Sequence, residues 1–163
     1  MALAGYQKVV SVDDRNVLAL RDLGRCYRSQ GTALVALGKT NQGIESIRKA
    51  VGISEALSSK DPSDTYYKLP DLANTYFSLA EAYSHLAAQL STPDTARIAS
   101  WEEARSWYEK SLATWLRAKH KGPLGRFDAA EPDKIAHEIA QCDIALAKLR
   151  SSSSLPPTSV SRR

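Results

Sequence analysis

The chain repeats itself. Asp22-Leu23 returns as Asp71-Leu72, Tyr27 as Tyr76, Leu34 as Tyr83 and Leu37 as Leu86, all at a shift of 49 residues. At the same shift Gly31 becomes Ala80 and Gly38 becomes Ala87, so small residues stand in register with small ones. A second block, Ile47-Arg48-Lys49-Ala50-Val51, corresponds to Tyr108-Glu109-Lys110-Ser111-Leu112 at a shift of 61, with Gly43 against Ala104. The second unit therefore carries 12 extra residues between its two halves. A period of this size marks a fold assembled from supersecondary units that bury their apolar faces on one another.

The unit itself is legible in the second copy. Leu72, Tyr76, Leu79, Tyr83, Leu86 and Leu90 recur at steps of three and four, which places them on one helical stripe. Trp101, Ala104, Tyr108, Ser111 and Trp115 form a second stripe. Neither stripe can be buried by its own helix, so the pair is read as an αα-hairpin. Trp107 lies one residue off that stripe and faces either a neighbouring element or solvent. A cut-down copy opens the chain: Tyr6-Gln7-Lys8-Val9-Val10 matches the second half of each unit, as if its first helix were missing.

These patterns predict helices at about 2–12, 17–38, 41–59, 66–90 and 101–120, and a last one from Pro132. Asp13-Asp14-Arg15-Asn16 and Asp61-Pro62-Ser63-Asp64 break the chain, because such residues favour turns and caps over helix interiors. Gly38 suits the positive φ of a helix end, and Thr40 or Asn41 can cap the next helix. Pro70 is tolerable near the start of its helix. Ser91–Ser100 reads as a polar loop, with Ser100 and Glu103 forming a capping box ahead of Trp101. Lys121-Gly122-Pro123 ends the fifth helix. Ile135, Ile139, Cys142, Leu146 and Leu149 give the last helix its stripe, and residues 151–163 form a tail with too little apolar mass to fold.

The expected organisation is all-α. Residues 2–12 are the second helix of a truncated repeat, 17–59 a full repeat, and 66–120 a repeat with an inserted loop at 91–100. Residues 131–150 are a C-terminal capping helix and 151–163 a disordered tail. Composition agrees with a soluble protein: 43% of residues are apolar and 25% charged. No apolar run reaches the roughly 18 residues of a membrane span, and no signal peptide is visible. Cys26 and Cys142 have no companions at ligand spacing, which predicts two buried free thiols in a reducing, cytoplasmic setting. The net charge of +4 includes Arg162 and Arg163 of the tail, leaving too little clustered charge for a nucleic-acid footprint.

No constellation for chemistry emerges. His85, His120 and His137 are scattered, so no metal site is expected, and nothing calls for a cofactor. Glu102-Glu103 and Glu131 with Asp133 complement the dipoles of helix starts. Arg97-Ile98-Ala99-Ser100 has the form of a basic-directed phosphorylation site, but capping by Ser100 explains it more simply.

These residues resemble the tetratricopeptide repeat (TPR) family. The match runs through Tyr27, Gly31, Leu34, Gly38, Gly43, Ile47 and Ala50 in one unit. In the other it runs through Tyr76, Ala80, Tyr83, Ala87, Trp101, Ala104, Tyr108 and Ser111. The period near 49 departs from the usual unit of about 34. The resemblance implies a right-handed α-solenoid whose concave face binds a peptide. It places Arg25, Arg28, Thr32 and Val35 of one helix there, with Asn74, Phe77, Glu81 and Ser84 of another. On that reading Phe77 is an exposed aromatic anchor and Arg25 and Arg28 hold acidic groups. Thr32 stands where the family's carboxylate clamp has Asn, so that activity is not carried over.

A narrower resemblance joins Trp107-Tyr108-Glu109-Lys110-Ser111-Leu112 and Pro132-Asp133-Lys134-Ile135-Ala136 to the C-terminal ends of bacterial serine/threonine kinases of eukaryotic type. The Gly-rich loop, His-Arg-Asp and Asp-Phe-Gly motifs of a kinase are absent from this sequence, so the chain is expected to be non-catalytic. Two functions follow as expectations: a protein-interaction scaffold, or a structural segment of a larger kinase-like protein. In the second, Tyr6, Val9 and Val10 offer an apolar N-terminal edge for a homodimer.

Overall fold

The computed structural model describes residues 2–60, 65–89, 91–122 and 128–153. Its elements are α1 (Ala2–Val12), α2 (Val17–Ala36), α3 (Thr40–Lys60), α4 (Thr65–Ala87), α5 (Asp94–Lys121) and α6 (Glu131–Ser153). The described residues form no strand. None of these helices is long and apolar enough to cross a membrane. Each helix packs on the next along the chain, and α2 also touches α4.

Local chemistry sets the ends. Asn16 caps α2, its Oδ1 accepting from the Ala19 amide at 3.0 Å. Gly38 has φ 75°, the left-handed conformation that a side chain disfavours. The Gly38 amide then donates to the Val35 carbonyl and the Lys39 amide to that of Leu34, both at 2.9 Å, closing the end of α2. The chain reverses at once into α3. The two helices touch at Gly31 and Gly43, where a methyl group on either would lie 2.7 Å from the other's carbonyl oxygen. Small residues are needed there because the backbones themselves are in contact.

The main core lies between α4 and α5, with α3 on one side and α6 on the other. Trp115, Tyr108, Ser111, Leu79 and Ile135 are among the most enclosed side chains. Ser111 donates to the Ala73 carbonyl at 2.8 Å, so the buried hydroxyl is satisfied across the helix pair. The predicted α6 stripe holds: Ile135, Cys142, Leu146 and Leu149 are buried and Ile139 half-buried. Trp107 faces a neighbour, its ring 5.6 Å from that of Tyr76. Tyr27 is half-buried between helices, with Gln7 of α1 donating to its hydroxyl at 2.8 Å.

Three expectations are corrected. Residues 94–100 are helical, so the loop expected at 91–100 shortens and α5 begins at Asp94. Arg97 explains the extension: its Nε donates to the carbonyl of Ala87, the last residue of α4, and its Nη1 pairs with Asp94 at 3.1 Å. One side chain thus closes one helix and steadies the next. Ser100 consequently caps nothing; it is buried inside α5 and donates to the Ala96 carbonyl. Ser151 to Ser153, expected in the tail, continue α6. The start of α4 agrees with the expectation: it begins at Thr65, with Pro70 inside the helix near that end. Leu90, 61–64, 123–127 and the expected tail from 154 lie outside the described residues.

Substitution tests the crossing. Gly31→Ala or Gly43→Ala is expected to cost about 1–3 kcal/mol through overpacking against backbone. Gly52→Ala, exposed in α3 with nothing within 4 Å of the added carbon, is expected to stabilise by about 0.5–1 kcal/mol. Denaturant unfolding of the three variants reads both effects.

Candidate functional site

Helices α2 and α4 run side by side in the same direction, because α3 returns the chain between them. Across their seam Arg25 of α2 clasps Asp71 of α4. Arg25 Nη2 lies 2.7 and 2.9 Å from the two carboxylate oxygens and Nε 3.2 Å from one of them. Arg25 is therefore already paired within the fold. Arg28, one turn further, is half-buried and has no hydrogen bond or ion pair from its side chain among the described residues. Burial holds its guanidinium pKa below the ordinary value and nearby Arg25 adds to that, while Asp71 opposes both.

Beyond Arg28 the seam opens into a groove of about 190 Å³. Thr32 and Val35 form one wall, Ser78, Glu81 and His85 the other, and Ile47 and Ala82 contribute to the apolar lining. Glu81 is half-buried. Burial raises its carboxyl pKa, with Glu138 and Glu131 adding to the rise and Lys134 and His85 opposing it. Three of the eight expected residues, Thr32, Val35 and Glu81, thus meet in one groove. Arg25, Arg28 and Asn74 lie toward the other end of the same seam, by the register of their helices.

Phe77 is a correction. It is only 9% exposed and belongs to the core, its ring 5.4 Å from Tyr108 in an edge-on arrangement. Lys134 of α6 lies over its ring, 4.4 Å from the centroid. Phe77 is therefore no exposed anchor. Ser84 also faces inward: its Oγ is enclosed near the Tyr108 hydroxyl and the Cys142 thiol without meeting hydrogen-bond geometry with either. The physical reason is α6, which covers the side of α4 that the repeat pattern leaves open. Reasoning from the repeat also missed Asp71, Ser78 and His85; Asp71 stands at a repeated Asp position, but nothing in the spacing pairs it with Arg25.

No group of three or more His, Cys, Asp or Glu that could hold a metal occurs among the described residues. Cys26 and Cys142 are free thiols, Cys142 buried as expected but Cys26 only half-buried; burial pushes Cys142 up to about 11, which suppresses the reactive thiolate. No known protein family, characterised protein or solved structure matches this chain.

Two outcomes follow from these placements. Phe77→Ala is expected to destabilise the fold by about 3–5 kcal/mol, the range for emptying a buried aromatic site, as read by denaturant unfolding. Glu81 carries a raised folded-state pKa, so the folded protein holds its proton more tightly than the unfolded chain. Its burden on stability is absent below the ordinary value of 4.5 and grows to completion as pH rises through the raised one. Glu81→Gln is expected to raise the thermal midpoint near pH 8 and to leave it unchanged near pH 4. A gain at the lower pH alone would contradict the assignment.

Proposed function

We propose that this chain is a non-catalytic docking module of TPR type, an α-solenoid that binds an extended peptide along the seam between α2 and α4. The observation that carries the reading is the groove shared by Thr32, Val35 and Glu81, with an apolar lining and polar walls. Its volume of about 190 Å³ is below the roughly 300–1,000 Å³ of typical small-molecule sites, and suits side chains delivered one at a time by a peptide. Arg28 supports the reading further, as a half-buried cation with no ion pair among the described residues. The serial packing of hairpins, and the small residues where they cross, fit the solenoid arrangement. In this reading α6 is the capping helix, α1 the remnant of a preceding repeat, and the setting the cytoplasm. Kinase association rests on the sequence resemblance alone.

A second reading, self-association through the N-terminal edge, is favoured by one observation. Val12 of α1 is 83% exposed and Val9 of the same helix 45%. Val12→Lys is expected to leave a monomer unchanged and to dissociate a dimer, as sedimentation over a range of concentrations would read.

For the leading reading, peptides selected from a random display library on the native protein are to be measured again on Val35→Glu and Arg28→Glu. Each variant is expected to weaken binding by about tenfold or more, the effect of removing one central contact. Selected peptides that bind all three proteins equally would exclude the seam.

A further inference from the structure

The polar walls of the 190 Å³ groove offer almost nothing but hydrogen-bond acceptors. Thr32 commits its only hydroxyl proton to the Arg28 carbonyl at 3.0 Å. Ser78 commits its own to the Asn74 carbonyl, also at 3.0 Å. Both oxygens keep only lone pairs for whatever enters. Glu81 adds a carboxylate that accepts no hydrogen bond and forms no ion pair among the described residues. His85, exposed at the same wall, can donate or accept.

The charges around Glu81 leave it undercompensated. Burial is the main cost of its charge, and Glu138 and Glu131 add repulsion. Lys134 and His85 attract it, but Lys134 lies over the Phe77 ring and makes no ion pair with the carboxylate. Arg28 stands one turn along α2, yet the carboxylate that acts on it is Asp71. A cation entering the groove therefore meets a half-buried, unpaired negative charge, which water and salt screen less than an exposed one. The seam's other opening is a contrast. It is a pocket of about 100 Å³ at the end away from His85, with Leu57 and Thr75 buried in its wall. Its arginines are already paired, Arg25 with Asp71 and Arg21 with Asp22, so their charge selects no ligand.

Size and donor chemistry together select an occupant for the larger groove. A cavity of ~150 Å³ accepts a molecule such as benzene, so about 190 Å³ accepts one long side chain. An apolar stem suits Val35 and Ile47, and a head with protons to donate suits the acceptors of Thr32, Ser78 and Glu81. Lysine and arginine have both parts, and their heads carry donors alone. An acidic side chain would set lone pairs against lone pairs and bring a second negative charge. An apolar one would desolvate Glu81 further without giving it a partner.

We propose that this groove is a specificity pocket for a lysine or arginine of a protein partner, its stem on Val35 and Ile47 and its charged head at Glu81, Thr32 and Ser78. The inference rests on the reading of the α2–α4 seam as a docking surface, and adds which side chain is read there.

The probe is a fluorescein-labelled, end-capped peptide of about ten residues, mainly alanine and serine, with one central lysine. Versions with norleucine, which keeps the stem and drops the charge, and with glutamate serve as comparisons. Anisotropy titration is expected to show the lysine peptide binding about tenfold more tightly than the norleucine form. The chain is net positive at +4, so general attraction does not favour lysine. Glu81→Gln is expected to erase the tenfold gap by weakening the lysine peptide alone, a coupling read as a double-mutant cycle. Glutamine keeps the shape of the groove and relieves a burden on the fold, so unfolding does not account for the loss. Equal binding of the lysine and norleucine peptides, preference for the glutamate form, or a lysine preference that survives Glu81→Gln overturns the proposal. Displacement of the lysine peptide by equimolar spermidine would make the groove a site for free amines, and overturns it too. So does a dimer that Glu81→Gln dissociates, which would place a second copy there. Val35→Glu fills part of the groove from the opposite wall and is expected to weaken every peptide by shape. If library peptides lose affinity on Val35→Glu but lysine is not preferred, the seam stands and the cation pocket falls. If neither variant matters, both fall.

Discussion

The structure depends on how α4 is buried. It meets α3, α5 and side chains of α6, and Leu69, Ala73, Leu79, Ala80, Ala82 and Ala87 are almost wholly enclosed. A helix can be surrounded this way only if small residues alternate with large ones around it. Ala73 and Ala80 let α5 approach, while Tyr76, Phe77 and Tyr83 fill the angles between neighbours. α5 answers in kind, with Ala104 and Ser111 set among Tyr108 and Trp115. The glycine contact of α2 with α3 is the tighter form of the same arrangement.

Polar groups set register where apolar packing alone would let helices slide. Ser46 of α3 donates to the Tyr27 carbonyl of α2 at 2.8 Å, as Ser111 of α5 does to Ala73 of α4. Tyr76 donates to Glu55 at 2.7 Å, and Arg48 pairs with the Tyr83 hydroxyl, both tying α3 to α4. Arg105 with Asp143 and Arg150 with Glu102 join α5 to α6 at more exposed positions, where such pairs contribute little stability and mainly bias orientation. The buried hydroxyl bonds matter more, since a slip of one turn would leave those groups unsatisfied in a dry interior.

The same geometry leaves the seam between α2 and α4 comparatively open. These helices touch lightly because α3 fills the space behind them. Apolar side chains from α3 therefore reach both openings, Ile47 at one and Leu57 at the other, and the charged residues of α2 and α4 stand above them. An apolar floor beneath a charged rim is a favourable setting for a peptide side chain flanked by polar groups.

What the sequence by itself determined was the all-helical class, the helix pairs and most of their ends. Those follow from short-range rules: three-and-four spacing, the cap at Asn16, the turn at Gly38 and the small residues at the crossings. Only the tertiary structure decided which faces stayed free. Phe77 and Ser84 looked open because the repeat pattern describes α4 against α5 and does not include α6. Arg25 looked available because its partner, Asp71, lies 46 residues away. The loop ahead of Trp101 became helix because Arg97 found the orphan carbonyl of Ala87. Periodicity reports what one helix hides against its mate, whereas exposure depends on every other helix that the chain brings back.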